Sequence, residues 1–287
     1  MNSKYTFKRM LLSLMLVTTT VWFTHAQDTP TDKTAYYTAG KYEYADITLP
    51  YRQLMLNQEK SGKNILVVQL HGGTARGTDN VAQLEASAVD SVERYLQEHG
   101  IKACFVLPQC ASDRVWNESR RTYTVTMTDV LTHWLEEFIA SNNVDAEQVF
   151  ITGYSAGGSG AWRMANDNPG MFAAACIAAA NPVMVEAAKV KDTPIYAIAG
   201  ANDAIMDANK IEDFVNQLVQ LGDDARFDLL PNKDHFGTCD TAFTNDRLTW
   251  TLSHPAAEHN PIRGDLTGDG KVDIADVNEI INIILTQ

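Results

Sequence analysis

The sequence predicts an α/β fold, with a mostly parallel sheet covered by helices on both faces. Three observations carry this expectation. Short apolar runs suited to strands alternate with segments whose apolar residues recur at helical spacing. The run at 64–70, Asn-Ile-Leu-Val-Val-Gln-Leu, is almost continuously apolar, as a strand buried on both faces should be. Loops follow the runs, and a serine, an acid and a histidine stand on three different ones.

Taken in order, residues 27–41 are polar. Residues 42–56 alternate in places (Tyr44, Ile47, Leu49; Tyr51, Leu54, Leu56) and predict two strands meeting near Pro50. The strand at 64–70 ends in His71-Gly72-Gly73. Val81, Leu84, Ala88, Val92 and Leu96 then mark a helix that Gly100 stops. A strand is expected at 103–107, and a helix around Leu131, Trp134, Leu135 and Phe138. Strands are expected at 148–152, 172–180, 195–199 and 226–230. One helix follows Ser155, another carries Ile211, Phe214, Val215, Leu218 and Leu221, and a last one spans 241–252. In such sheets reactive groups gather beyond the C-terminal ends of the strands.

Residues 1–26 stand apart. Lys4, Lys8 and Arg9 precede an apolar run from Met10 to Phe23, and Thr24-His25-Ala26 offers a small-residue cleavage site. This predicts a secretory signal peptide and a secreted or periplasmic protein; an uncleaved anchor is the rival reading. Removing this stretch, with three positive and no negative charges, takes the net charge from −13 to −16. So acidic a chain is not expected to bind nucleic acid or anionic membrane. Export would permit disulfides among Cys104, Cys110, Cys176 and Cys239, and four cysteines allow three pairings. Cys104 and Cys176 lie inside apolar runs and also read as simple buried thiols.

The chemistry centres on 149–160, where an apolar run ends in Gly153-Tyr154-Ser155-Ala156-Gly157. A strand that delivers a serine into a tight turn before a helix exposes its Oγ. It also leaves the Ala156 N–H free to face an oxyanion. Serine is a weak nucleophile and needs a base, for which His235 is placed just past the last strand. Asp203, directly after the strand at 195–199, is the expected acid; Asp207 reads as a helix cap. The second oxyanion donor is expected from Gly72, Gly73 or Thr74, and the sequence does not choose among them. No catalytic cofactor is implied.

The segments His71-Gly72-Gly73-Thr74, Leu107-Pro108-Gln109-Cys110 with Trp116, Gly153-Tyr154-Ser155-Ala156-Gly157-Gly158, Gly200-Ala201-Asn202-Asp203 and Asp234-His235 resemble the α/β-hydrolase fold. More narrowly, they resemble secreted esterases of the feruloyl esterase, acetyl xylan esterase and polyhydroxybutyrate depolymerase type. The resemblance spans roughly 42–253, within a hydrolase domain at 27–253. It implies Ser155 as nucleophile, His235 as base and Asp203 as acid, with Gln109 and Trp116 near the acyl pocket. The implied substrate is an ester-substituted polysaccharide or oligosaccharide. Relatives often carry a histidine where this chain has Ala199, a difference that bears on packing behind Asp203.

A tether at 254–263 leads to a second signal at 264–287. Asp265, Thr267, Asp269, Asp273 and Asp276 fall at positions 1, 3, 5, 9 and 12 of a calcium loop, with Gly270 at the sharp turn and Lys271 offering its carbonyl. Ile274, Val277, Ile280, Ile281 and Ile284 form one face of a helix. This EF-hand-like unit resembles the first half of a type I dockerin. The resemblance implies a structural Ca2+ and a cohesin or other protein partner. Three function classes follow: a serine esterase, a serine peptidase of the prolyl oligopeptidase-like type on the same fold, and a non-catalytic calcium-dependent interaction protein.

Overall fold

The computed structural model describes residues 32–254 together with Ile274, Val277, Asn278 and Ile281. The expected signal peptide, the tether beyond His254, and the calcium ligands Asp265, Thr267, Asp269, Lys271, Asp273 and Asp276 lie outside the described residues. Ile274, Val277 and Ile281 are helical and exposed.

Among the described residues, three strands come in succession and five more then alternate with helices. The strands are β1 (Thr38–Tyr44), β2 (Ile47–Leu56), β3 (Asn64–Leu70), β4 (Ala103–Pro108), β5 (Val144–Tyr154), β6 (Ala174–Ala178), β7 (Ile195–Gly200) and β8 (Ala225–Leu230). The helices are α1 (Ser87–Glu98), α2 (Met127–Ser141), α3 (Ala156–Asp167), α4 (Ala187–Val190), α5 (Ala208–Gln220), α6 (His235–Thr241) and α7 (Asn245–Leu252). The strands form one sheet in the order β1-β2-β4-β3-β5-β6-β7-β8. Only β2 runs against its neighbours β1 and β4; the pairs from β4 to β8 are parallel.

Both faces of the sheet are buried. Along β3 and β4, Leu66, Val68, Cys104 and Val106 face one core, with Trp134 and Leu135 of α2, Trp162 of α3 and Phe214 of α5. Val67, Phe105 and Leu107 face the other, with Val89, Val92 and Leu96 of α1 and Leu248 of α7. Alternate residues thus serve opposite cores, which is why the central strands read as continuous apolar runs. β6 is built largely of alanine, a weak strand former. Small residues at its end and just beyond let α3 come close: a Cβ on Gly158 would lie 3.0 Å from the Ala178 carbonyl oxygen and 2.6 Å from the Cβ of Ala180.

Three expected boundaries differ. The helix expected from Val81 starts only at Ser87; Val81 and Leu84 belong to a separate 3₁₀ turn region before it. Pro50 lies inside β2; the first hairpin turns at Ala45-Asp46, both with positive φ (46° and 64°). Pro50 is tolerated because it lies beyond the β2–β4 pairing, which begins at Tyr51 opposite Pro108. The expected last helix at 241–252 is two helices, α6 and α7, because Asp234 caps an earlier start by accepting the Gly237 N–H at 2.8 Å.

All four cysteines are free and buried. Burial pushes their thiols up, to about 11 for Cys104 and about 12 for Cys110, Cys176 and Cys239, so thiolate chemistry is suppressed. Among the described residues no helix is long and apolar enough to cross a membrane.

Asp223, between α5 and β8, has a carboxylate oxygen buried without a hydrogen-bond partner. Burial raises its pKa from 3.8 to about 7. A raised acid pKa costs stability progressively as pH climbs from the unfolded value through the folded one. Asp223→Asn should therefore raise Tm by a few degrees at pH 8. The gain should shrink toward pH 5, as followed by thermal melts at both values.

Candidate active site

The sheet order reverses at β3: the chain goes from β3 outward to β4, then returns to place β5 on β3's other side. The loops after β3 and β5 therefore diverge and leave a crevice at their ends. Ser155 sits there, between the last residue of β5 and the first of α3, at φ 53° and ψ −123°. A non-glycine residue in this region carries about 1–3 kcal/mol of strain. The surroundings hold it. Its N–H donates to the Ala178 carbonyl at 3.0 Å, and its carbonyl accepts from the Ser159 N–H at 3.0 Å. A Cβ on Gly157 would collide with the backbone carbonyls of Leu70 and His71, and one on Gly153 with the carbonyl of Gly157. The two glycines flanking the serine are required by close backbone approach.

Ser155 Oγ lies 2.8 Å from His235 Nε2, and His235 Nδ1 lies 2.8 Å from Asp203 Oδ2. Asp203 Oδ1 accepts two further hydrogen bonds, from the N–H groups of Ile205 and Met206, each at 2.8 Å. A carboxylate only accepts, so Nδ1 carries the imidazole proton and Nε2 is left to accept from the serine hydroxyl. The side chains of His235 and Asp203 are 6% and 1% exposed, which strengthens these bonds. Two backbone links bring the acid and base loops together: Ala201 N–H to Leu230 O and Asn202 N–H to Lys233 O, both 2.9 Å. Gly200 permits this, since a side chain there would strike the Lys233 carbonyl and Thr238. Asp207 caps α5 by accepting the Asn209 N–H. His254 bonds Trp250 O and Asp224, near the end of its own helix.

Ala156 opens α3, so its N–H has no acceptor within the helix. Gly73 lies beside it: a Cβ on Gly73 would be 3.9 Å from that of Ala156. The Gly72 N–H faces the Tyr154 hydroxyl. The Gly72 carbonyl accepts from His71 Nδ1 at 2.7 Å and from the Ala75 N–H at 3.2 Å. Because the peptide is planar, these bonds turn the Gly73 N–H the opposite way. Of the three candidate donors, the geometry leaves Gly73 and Thr74.

Gln109 and Trp116, expected at the acyl pocket, are instead buried behind this turn, at 0% and 1% exposure. Gln109 Nε2 donates to Ala75 O and Asp79, and its Oε1 accepts the Asn80 N–H. Trp116 Nε1 donates to the His71 carbonyl at 3.1 Å. A polar residue after a buried strand reads equally as ligand contact or brace, and only the fold shows it as a brace.

The role of His71 beyond its place in the turn was not legible from the sequence. It is buried, donates from Nδ1 to Gly72 O, and accepts the Cys110 N–H on Nε2 at 3.0 Å. Burial lowers its pKa from 6.5 to about 4. The neutral ring alone satisfies both bonds, because a protonated Nε2 could not accept.

A serine, an imidazole and a carboxylate in hydrogen-bond contact, beside two free amides at a sheet's switch point, define the class: a hydrolase of the α/β-hydrolase fold. The dienelactone hydrolase family matches residues 109–259, just over half of the chain, and the chain belongs to that family. Among solved structures, a thermostable esterase superposes with a TM-score of 0.67 at 23% identity, over 77% of this chain. The match spans 64% of that esterase's own length. A ferulic acid esterase gives 0.56 at 15% identity, over 72% of this chain and 93% of its own. An acylaminoacyl peptidase of Pyrococcus horikoshii gives 0.56 at 14%, over 78% and 43%. At these identities the likeness is one of fold. No curated protein matches the chain in sequence.

The depressed pKa of His71 sets a pH dependence. Its stabilising contribution is complete above the unfolded value of 6.5 and is lost as pH falls toward about 4. The loss amounts to about 3 kcal/mol. Urea unfolding at pH 7 and pH 4.5 should show it. His71→Asn should be less stable at pH 7 by about 1–3 kcal/mol and should show a smaller drop on acidification.

Proposed function

We propose that the protein is a secreted serine esterase that cleaves carboxylic esters, feruloyl or acetyl groups, from plant polysaccharide. The observation that carries the reading is the pair of 2.8 Å contacts linking Ser155, His235 and Asp203. As Ser155 Oγ attacks the ester carbonyl, its proton passes to His235 Nε2, and Asp203 stabilises the imidazolium. The carbonyl oxygen becomes an oxyanion held by the amide of Ala156 and those of the Gly73-Thr74 turn. His235 returns the proton to the departing alcohol, leaving an acyl-serine. Water, deprotonated by His235, then releases the acid and restores the serine.

Two surface features favour an ester with an apolar acyl group. Phe236 is 63% exposed beside His235, with ring centroids 5.5 Å apart. Val183, Met184 and Ile205 are exposed on the loops after β6 and β7. On the same proposal, the loop at Asp265–Asp276 holds a structural Ca2+ through its oxygen ligands, and the segment beyond it meets a cohesin or other protein partner.

Ser155→Ala should lower kcat/KM on p-nitrophenyl acetate by about 10³-fold or more while circular dichroism stays native. Residual wild-type activity in that variant would remove Ser155 from the chemistry. Wild-type protein should turn over methyl ferulate in preference to a short peptide p-nitroanilide. The reverse preference would make it a peptidase.

A further inference from the structure

The amide turn at Gly72–Thr74 needs more support than it makes for itself. It is a 3₁₀ turn of three residues, Gly73–Ala75, and its own bond is the Ala75 N–H to Gly72 O. Such short turns are weak. Consecutive glycines add backbone freedom, so the peptide planes could rotate and swing a donor out of the site. His71 fixes the first plane through the Gly72 carbonyl. The second plane, Gly73–Thr74, is held by Arg76. The Arg76 Nε donates to the Gly73 carbonyl at 3.1 Å, and its Nη1 donates to the Arg114 carbonyl at 3.2 Å.

The far anchor is rigid. Arg114 makes a two-pronged pair with Glu118, at 2.5 and 2.6 Å, and donates from Nη2 to Val125 O at 2.8 Å. The Glu118 side chain is 0% exposed and also accepts the Met127 N–H at the start of α2. The guanidinium of Arg114 packs 4.6 Å over the ring of Tyr123. The line therefore runs from the N-terminus of α2 through Glu118 and Arg114 to Arg76, and ends on the carbonyl of Gly73.

We propose that Arg76 is a positioning residue for the oxyanion donors: its planar fork ties the Gly73 carbonyl to the Arg114 carbonyl and locks the turn whose amides face Ser155. The proposal rests on the serine-hydrolase reading above. Arg76 is exposed, so its charge is screened by salt and contributes little at a distance. The fork geometry carries the effect. Lysine keeps the charge but has no planar fork to span two carbonyls.

The test compares wild type, Arg76→Lys and Arg76→Ala on p-nitrophenyl acetate, with phenylboronic acid as the transition-state mimic. Both variants should lose about tenfold in kcat, part of the 10²–10³ that removing a whole oxyanion donor costs. KM should change less than twofold, and Tm should hold within a few degrees. Inhibition by the boronate should weaken by the same factor as kcat/KM, and raising NaCl from 20 to 500 mM should not alter the ratio to wild type. Wild-type kcat in Arg76→Lys would overturn the fork and leave a charge effect. Wild-type kcat in both variants, with Ser155 still labelled by a fluorophosphonate, would overturn the proposal alone. A wild-type protein that neither hydrolyses the ester nor takes the label would overturn the serine-hydrolase reading with it.

Discussion

Gly157 has no room for a side chain, and much of the site follows from that. A Cβ there would run into the carbonyls of Leu70 and His71 at the end of β3, so α3 begins hard against the neighbouring strand. The contact forces the chain from β5 to α3 through a single residue, Ser155, with positive φ. It also brings the free N–H at the start of α3 beside the turn that follows β3. One close backbone approach thus strains Ser155 at the crevice and brings together two amides from different loops. A methyl group at either flanking glycine would separate them.

That constraint explains which parts of the site were legible in sequence. Ser155, Asp203 and His235 could be placed because each lies just past a strand, β5, β7 and β8 in turn, and the strands of a parallel sheet end on the same edge. The glycines at 153 and 157 signal close backbone approach from the sequence alone. The hairpin at Ala45-Asp46 was not legible, since its sequence lacks the glycine that usually marks such a turn, while Pro50 looked like a boundary. The start of α6 was hidden for a similar reason: Pro231, Asn232 and Gly237 around His235 read as a loop, and the capping bond from Asp234 decides otherwise. Burial is the quantity that sequence expresses least. Gln109, Trp116 and His71 are polar or aromatic residues beside reactive loops, and pattern alone cannot separate a residue facing substrate from one bracing the turn behind it.

The bracing has a shared design. Both polar side-chain atoms of Gln109 engage the 75–80 segment, both ring nitrogens of His71 are satisfied, and Trp116 donates to the His71 carbonyl. A buried polar group left unpaired would cost about 1–3 kcal/mol, so a network this complete holds one arrangement of the turn and penalises others. Preorganised amides stabilise a developing oxyanion without reorganising at the moment of reaction. The side chains behind the turn therefore hold its amides in place from the buried side.

Charge acts at two ranges around this centre. The chain carries −13 overall, yet the turn beside the nucleophile holds a guanidinium, Arg76, with a second from Arg114 behind it. Two of the donors on Arg76 engage backbone carbonyls, and Arg114 is matched by Glu118, so neither is simply an open anion trap. Ester hydrolysis turns a neutral substrate into a carboxylate. An acidic surface does not hinder arrival of the neutral ester, but repels the product acid once it leaves the site. At physiological salt that repulsion reaches only about 8 Å, so release depends on acidic groups close to the crevice. The exposed residues around His235 are mixed: Phe236 and Ile205 are apolar, and Asp234, next to the base, is acidic. On the proposed ester reading, Phe236 and Ile205 would contact an apolar acyl group, while Asp234 lies within range to repel the carboxylate as it leaves.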